Sequence, residues 1–141
     1  MCDVMLIREM NIEDYEEAYA LWLRTEGMGI TQSDTKQEIQ KFLARNPGLS
    51  YVCVEQGKIV GTILCGHDGR RGFIYHVAVE EQFRGRKIGQ ELITHSLEKL
   101  KLDGIMKCHL MVFADHEMGN QFWSHMGWKR RDEIVLFSKD L

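Results

Sequence analysis

The chain has 141 residues, 44% apolar and 28% charged, which suffices for one hydrophobic core and excludes collagen-like, low-complexity and disordered classes. With 18 Lys and Arg against 21 Asp and Glu, the formal net charge is −3; a general attraction to nucleic acid or anionic membrane is not expected, and any anion site must be local. No stretch reaches the ~20 apolar residues of a membrane span, and Asp3, Arg8 and Glu9 interrupt the opening segment where a signal peptide is apolar, so a cytoplasmic location is expected.

In chain order, the short apolar run 4–7, from Val4, reads as a strand. Asn11 is a capping residue, and Tyr15, Ala18, Tyr19 and Trp22 follow at helical spacing. Beyond the glycines at 27 and 29, Ser33 is placed to cap a second helix with the stripe Ile39, Phe42 and Leu43, closed by Asn46, Pro47 and Gly48. Residues 51–55 and 59–65 flank Gln56, Gly57 and Lys58 and are rich in β-branched and aromatic side chains, which predicts a hairpin. A turn over 68–72 leads into a strand over 73–79 and a charged loop. Ile88, Leu92, Ile93, Leu97 and Leu100 mark an amphipathic helix that Gly104 stops. Residues 107–113 read as a strand, Met118, Phe122 and Met126 as a short helix ending at Gly127, and 134–137 as a closing strand. The order β-α-α-β-β-β-α-β-α-β predicts one α/β (α+β) domain over 1–141, a mixed sheet with helices on both faces. Cys2, Cys53, Cys65 and Cys108 show no CxxC pair and no metal-ligand spacing with the histidines, and read as reduced, mostly buried thiols.

The segment richest in chemistry runs from Val77, Ala78 and Val79 through Glu80 and Glu81 to Arg84, Gly85, Arg86, Lys87, Ile88 and Gly89. It is a strand, a basic glycine-bearing loop and a helix start. The first turn of a helix presents unpaired N–H groups and the positive end of the helix dipole, and glycines permit close backbone approach, so the segment points to a phosphate-bearing ligand. Its spacing matches neither the Walker loop nor the dinucleotide fingerprint.

The loop from Arg84 to Gly89 resembles the acyl-CoA loop of the GNAT family of N-acetyltransferases, Gln/Arg-x-x-Gly-x-Gly/Ala, with Lys87 where the family usually has glycine. Phe122, Trp123, Gly127 and Trp128 are similar to its Phe-Tyr-x-x-x-Gly-Phe signature, and the order of elements is the family's. The resemblance covers nearly the whole chain. It implies a mostly antiparallel central sheet, acetyl-CoA as cosubstrate, and acetyl transfer to a primary amine by direct attack in a ternary complex. Carried over by position, Val77, Ala78 and Val79 offer backbone groups to the pantetheine arm, while Arg84, Gly85, Arg86, Lys87, Ile88 and Gly89 wrap the pyrophosphate. His116 stands where the family often has a cofactor-contacting Asn. Monomers and homodimers both occur in the family, and no metal, nucleic acid or membrane is implied.

A lysine-like amine is neutral in only about one molecule per few thousand at pH 7, so a proton acceptor is required. Tyr75, His76 and Glu81 are the local candidates. Two-residue alternation puts Tyr75 on the strand face of Phe73 and Val77, and His76 on the other. Trp123 occupies the position of the family's usual general acid, a Tyr; indole cannot serve, and Ser124, His125 or water remain as substitutes. That replacement keeps open an acyl-CoA-binding sensor without turnover. His76 and His116 also have ordinary readings as strand and surface residues, and Trp123 as a packing residue.

Overall fold

The computed structural model describes residues 5–141; Val4 and Cys2 lie outside the described residues. The chain divides into two compact units, Met1–Met111 and Val112–Leu141. The first contains β1 (Met5–Glu9), α1 (Tyr15–Leu23), α2 (Lys36–Arg45), β2 (Tyr51–Glu55), β3 (Lys58–His67), β4 (Gly72–Val79), α3 (Ile88–Leu102) and β5 (Cys108–Leu110), with 3-10 turns at Ile12–Asp14, Gln32–Asp34 and Glu81–Phe83. The second contains α4 (Glu117–His125). The strands form one sheet in the order β1-β2-β3-β4-β5, antiparallel except for β4 and β5.

Local chemistry accounts for the element boundaries. Asn11 and Asp14 form a reciprocal capping box on the 3-10 turn that leads into α1, satisfying the Glu13 and Asn11 N–H groups. The same device recurs at Thr31 and Asp34. Thr35 then caps α2 by accepting from Glu38 N–H at 3.3 Å. This corrects the assignment of that cap to Ser33, whose own N–H donates to Thr31 Oγ1. Gln56 (φ 52°) and Gly57 (φ 76°) turn β2 into β3 with left-handed backbone at both central positions, as a tight twisted hairpin requires.

Helices cover both sheet faces. On one, Trp22 Nε1 of α1 donates to Thr62 Oγ1 at 2.9 Å, and a side chain at Gly66 would strike Phe42 and Asn46. On the other, a Cβ at Gly61 would lie 3.0 Å from Ile88 and 3.1 Å from Leu92, so α3 packs directly on the β3 backbone. Ala18, Leu21, Trp22, Ile39, Val52, Leu64 and Ala78 are buried together under α1 and α2, each large aliphatic side chain contributing roughly 1.5–3 kcal/mol relative to exposure. Cys53 and Cys65 are fully buried and free, and Cys108 half-buried and free.

Two strand expectations need correction. Residues 134–137 form no strand, and all four side chains are exposed; among the described residues no strand pairs with them, and a strand exists only through its partner. The expected strand over 107–113 shortens to Cys108–Leu110, pairing with Gly72, Phe73 and Ile74.

Candidate functional site

β4 pairs with β5 only as far as Ile74, while its other edge stays paired with β3 up to Val79. From Tyr75 to Val79 no strand among the described residues pairs with the β5-side edge, which leaves that edge of the ladder open. Glu80 N–H donates to Val60 O at 2.8 Å, and the alternation of an antiparallel ladder then turns the N–H and C=O of Val79 away from β3 toward that open edge. Arg84 Nε folds back onto the Val79 carbonyl at 3.3 Å.

The strand carries a β-bulge here. Leu64 pairs with Tyr75 and Thr62 with Ala78, so His76 and Val77 together oppose Ile63. His76 takes φ 50°, a region uncommon for a side-chain-bearing residue. The bulge overturns simple alternation: Tyr75 packs edge-on against Phe42 of α2 at 6.0 Å, and the His76 ring lies 4.6 Å from Trp22 of α1. Both side chains are on the α1/α2 face, and Ala78 belongs to the same buried cluster as Trp22.

His76 Nε2 lies 2.7 Å from Asp34 Oδ1, their side chains 12% and 10% exposed. Asp34 Oδ2 accepts from Thr31 N–H at 2.9 Å, and the Asp34 carbonyl accepts from Tyr15 O–H at 2.5 Å. Sequence reasoning missed Asp34; its one signal is the Thr31-x-x-Asp34 capping spacing. Burial pushes the Tyr75 phenol up from its ordinary value. Glu81 is exposed on the 3-10 turn after β4. Its neighbour Glu80 is held by Arg24 at the end of α1, through two bonds of 3.1 Å and one of 2.5 Å; the Arg24 hydrogen bond draws the Glu80 carboxyl below its usual range against the effect of burial.

In the loop, Gly85 (φ 86°) and Lys87 (φ 63°) are both left-handed. Lys87 occupies the N-cap of α3 and supplies no side-chain cap, which leaves the first-turn N–H groups without that partner. Ile88 is buried and Gly89 half-buried at the helix start. Arg86 turns from the loop to Glu55 at the end of β2, at 3.1 Å, with its guanidinium 4.9 Å from the Phe83 ring. Glu55 is only 4% exposed, so Arg86 neutralises a buried carboxylate. A cleft of about 410 Å³ between β1 and α3 is lined by Met5, Ile7, Arg86, Lys87, Glu91 and His95, apart from the open β4 edge.

In the second unit, Trp123 lies within α4, its ring 5.1 Å from Phe122 and 5.1 Å from Trp128. Ser124 and His125 end the same helix. His116 is the N-cap residue of α4 and uses no side-chain cap bond; its ring lies so close over Gly119 that a Cβ there would fall 2.3 Å from Nδ1.

A family model described as the Acetyltransferase (GNAT) family matches residues 9–128. The chain is 35% identical to "Acetyltransferase plu1384" of Photorhabdus laumondii over 138 residues, covering 97% of this chain and 96% of that protein. It is 32% identical to "Acetyltransferase SG1711" of Sodalis glossinidius over 137 residues, again 97% and 96%. Its fold is similar to that of PaiA N-acetyltransferase from Thermoplasma acidophilum, solved in complex with coenzyme A, with a TM-score of 0.76, 20% identity and 92% of each chain covered. The family match over most of the chain, together with two acetyltransferase-named relatives matched almost end to end, establishes that this chain belongs to the GNAT family of acetyltransferases.

Proposed function

We propose that the chain transfers the acetyl group of acetyl-CoA to a primary amine by direct attack in a ternary complex, with 1–141 working as one catalytic domain. The observation that carries this is the open β4 edge from Tyr75 to Val79 leading into a left-handed loop and a helix start without a side-chain cap. An extended pantetheine arm adds to such an edge as a strand does. The amides of Gly85, Arg86, Lys87, Ile88 and Gly89 suit a pyrophosphate at the positive end of α3. Arg84 and Lys87 supply the cationic charge, while Arg86 serves the loop through Glu55.

For the proton acceptor, the raised phenol of Tyr75 is a poor base, and Glu81 is solvated on its turn. His76, packed beside Trp22 and bonded to a carboxylate, suits the role best. Burial pushes the Cys53 thiol up and the Cys65 thiol to about 12, which disfavours an acetyl-thioester relay through either. A thiol leaves tolerably as an anion, and general acid assistance is worth ~10²–10⁴-fold, so Trp123 in the usual Tyr position slows the reaction without abolishing it.

Trp123 also favours a second reading, an acyl-CoA sensor. Calorimetric titration with acetyl-CoA, followed by thiol release over a panel of amines, separates the two. Binding with amine-dependent release supports transfer, and binding without release across the panel supports the sensor. No binding overturns both.

A further inference from the structure

Building on the acetyl-transfer reading, we propose that Asp34 is the positioning residue for His76 as base: its carboxylate keeps the ring proton on Nε2, leaving Nδ1 bare to receive a proton from the acceptor amine. An ionised carboxylate only accepts hydrogen bonds, so at 2.7 Å the Nε2 must donate. A neutral imidazole with its proton on Nε2 carries its lone pair on Nδ1. Asp34 cannot swing away, because Thr31 N–H holds its other oxygen and Tyr15 O–H its carbonyl.

The ring is equally constrained. Trp22 packs on it at 4.6 Å. Thr62, which accepts from Trp22 Nε1, donates to the His76 carbonyl at 2.9 Å, pinning the bulge that brings the side chain to this face. A left-handed backbone at a residue with a side chain persists only where its surroundings hold it. Among the described residues no fully buried side-chain nitrogen or oxygen lacks a partner and none bonds Nδ1, so Nδ1 is not fully buried. The titratable groups that face the ring are Asp34 from the turn before α2 and, through the Asp34 carbonyl, Tyr15 of α1, with neutral Thr62 from β3 on the His76 carbonyl.

The step balances as follows. His76 Nδ1 takes one proton from the acceptor ammonium and later passes it to water. The freed nitrogen lone pair forms the C–N bond at the acetyl carbonyl, the C–S bond breaks, and its electron pair leaves on the CoA sulfur. The second nitrogen proton ends on that thiolate, giving amide and CoA thiol.

The test uses the full chain with acetyl-CoA and three probe amines, spermidine, tyramine and an alanyl peptide with a free N-terminus. We expect H76Q to lower kcat by ~10²–10⁴-fold at unchanged KM for acetyl-CoA. D34N lowers kcat and displaces the acidic limb of the pH profile, and D34E restores part of both. The imidazole ¹⁵N spectrum of the wild-type protein shows the Nε2–H tautomer, and D34N loses that preference. A folded D34N with wild-type kcat and pH profile, or an Nδ1–H ring in the wild-type protein, overturns the proposal. If D34N does not fold, H76Q kinetics and the wild-type tautomer decide it. If the wild-type protein binds acetyl-CoA but acetylates none of the amines, the transfer reading fails; the tautomer still decides the part of Asp34, Nε2–H supporting it and Nδ1–H overturning it.

Discussion

Lys87 holds φ 63° and ψ 20° at the start of α3, a conformation that costs a side-chain-bearing L-residue roughly 1–2 kcal/mol and glycine almost nothing. Lys87→Gly is therefore expected to stabilise the protein by about 0.5–1 kcal/mol, after the entropy that glycine adds to the unfolded chain. Urea denaturation checks this; a lower midpoint would mean that the Lys87 side chain contributes contacts worth more than the strain. Glu55 and Arg86 present the opposite balance. The carboxylate is buried and the guanidinium 46% exposed, so losing the cation costs more than the pair itself contributes. Arg86→Ala is expected to lower stability by about 1–3 kcal/mol, while Glu55→Gln with Arg86→Ala recovers part of the loss, as a double-mutant denaturation cycle would read. The charge of Arg86 in the loop was legible in the sequence, whereas its buried partner is 31 residues earlier, a distance at which sequence spacing carries no signal.

Among the elements, α2 depends on the hydroxyl of Thr35. Thr35→Ala removes the cap on Glu38 N–H and is expected to cost about 1 kcal/mol, with Thr35→Ser largely neutral in a thermal melt. The cap pattern was legible, with Thr35 three residues before Glu38, yet Ser33 competes for it in the sequence because both are hydroxyl residues just ahead of the apolar stripe. The hairpin, α3 and α4 were legible for a plainer reason, since their signals are local: a Gln56-Gly57 turn, apolar spacing along 88–100, and Gly104 and Gly127 beyond helix ends at φ 84° and 91°. The bulge was not legible. It is fixed by which β3 residues face Tyr75 and Ala78, a property of two strands at once. Asp34 stayed hidden likewise, because 42 residues separate it from His76. For 134–137, a β-branched run suggested a strand that only a pairing partner could have made.

Across the whole molecule, several carboxyls tie stability to acid. Burial works to raise the Asp14 carboxyl, but the Arg8 fork at 2.9 Å on both oxygens, the Asn11 N–H and the Arg8 charge outweigh it and hold the group below its usual range. Glu80 is lowered through Arg24, and Asp103 through Lys99 and His67. A carboxyl depressed on folding contributes fully above its unfolded pKa and loses that contribution as pH falls through the folded one. The contribution of these carboxyls is thus expected to be lost as pH falls below about 4; Asp14→Asn should be less stable at pH 7 and show a shallower acid drop, and an unchanged slope would remove Asp14 from the account. The bulge has a consequence on this scale as well. Between the pairs Leu64–Tyr75 and Thr62–Ala78, β4 contains one residue more than β3. An in-frame deletion of His76 therefore splices two half-strands already in register, setting Val77 opposite Ile63 and keeping Ala78 in the core. The sheet loses a detour it does not need. The expected product folds but melts below the parent, because Asp34 and Trp22 lose their imidazole neighbour; it titrates acetyl-CoA and releases thiol far more slowly when amine is added, so a single missing codon would move the transferase most of the way to a binder.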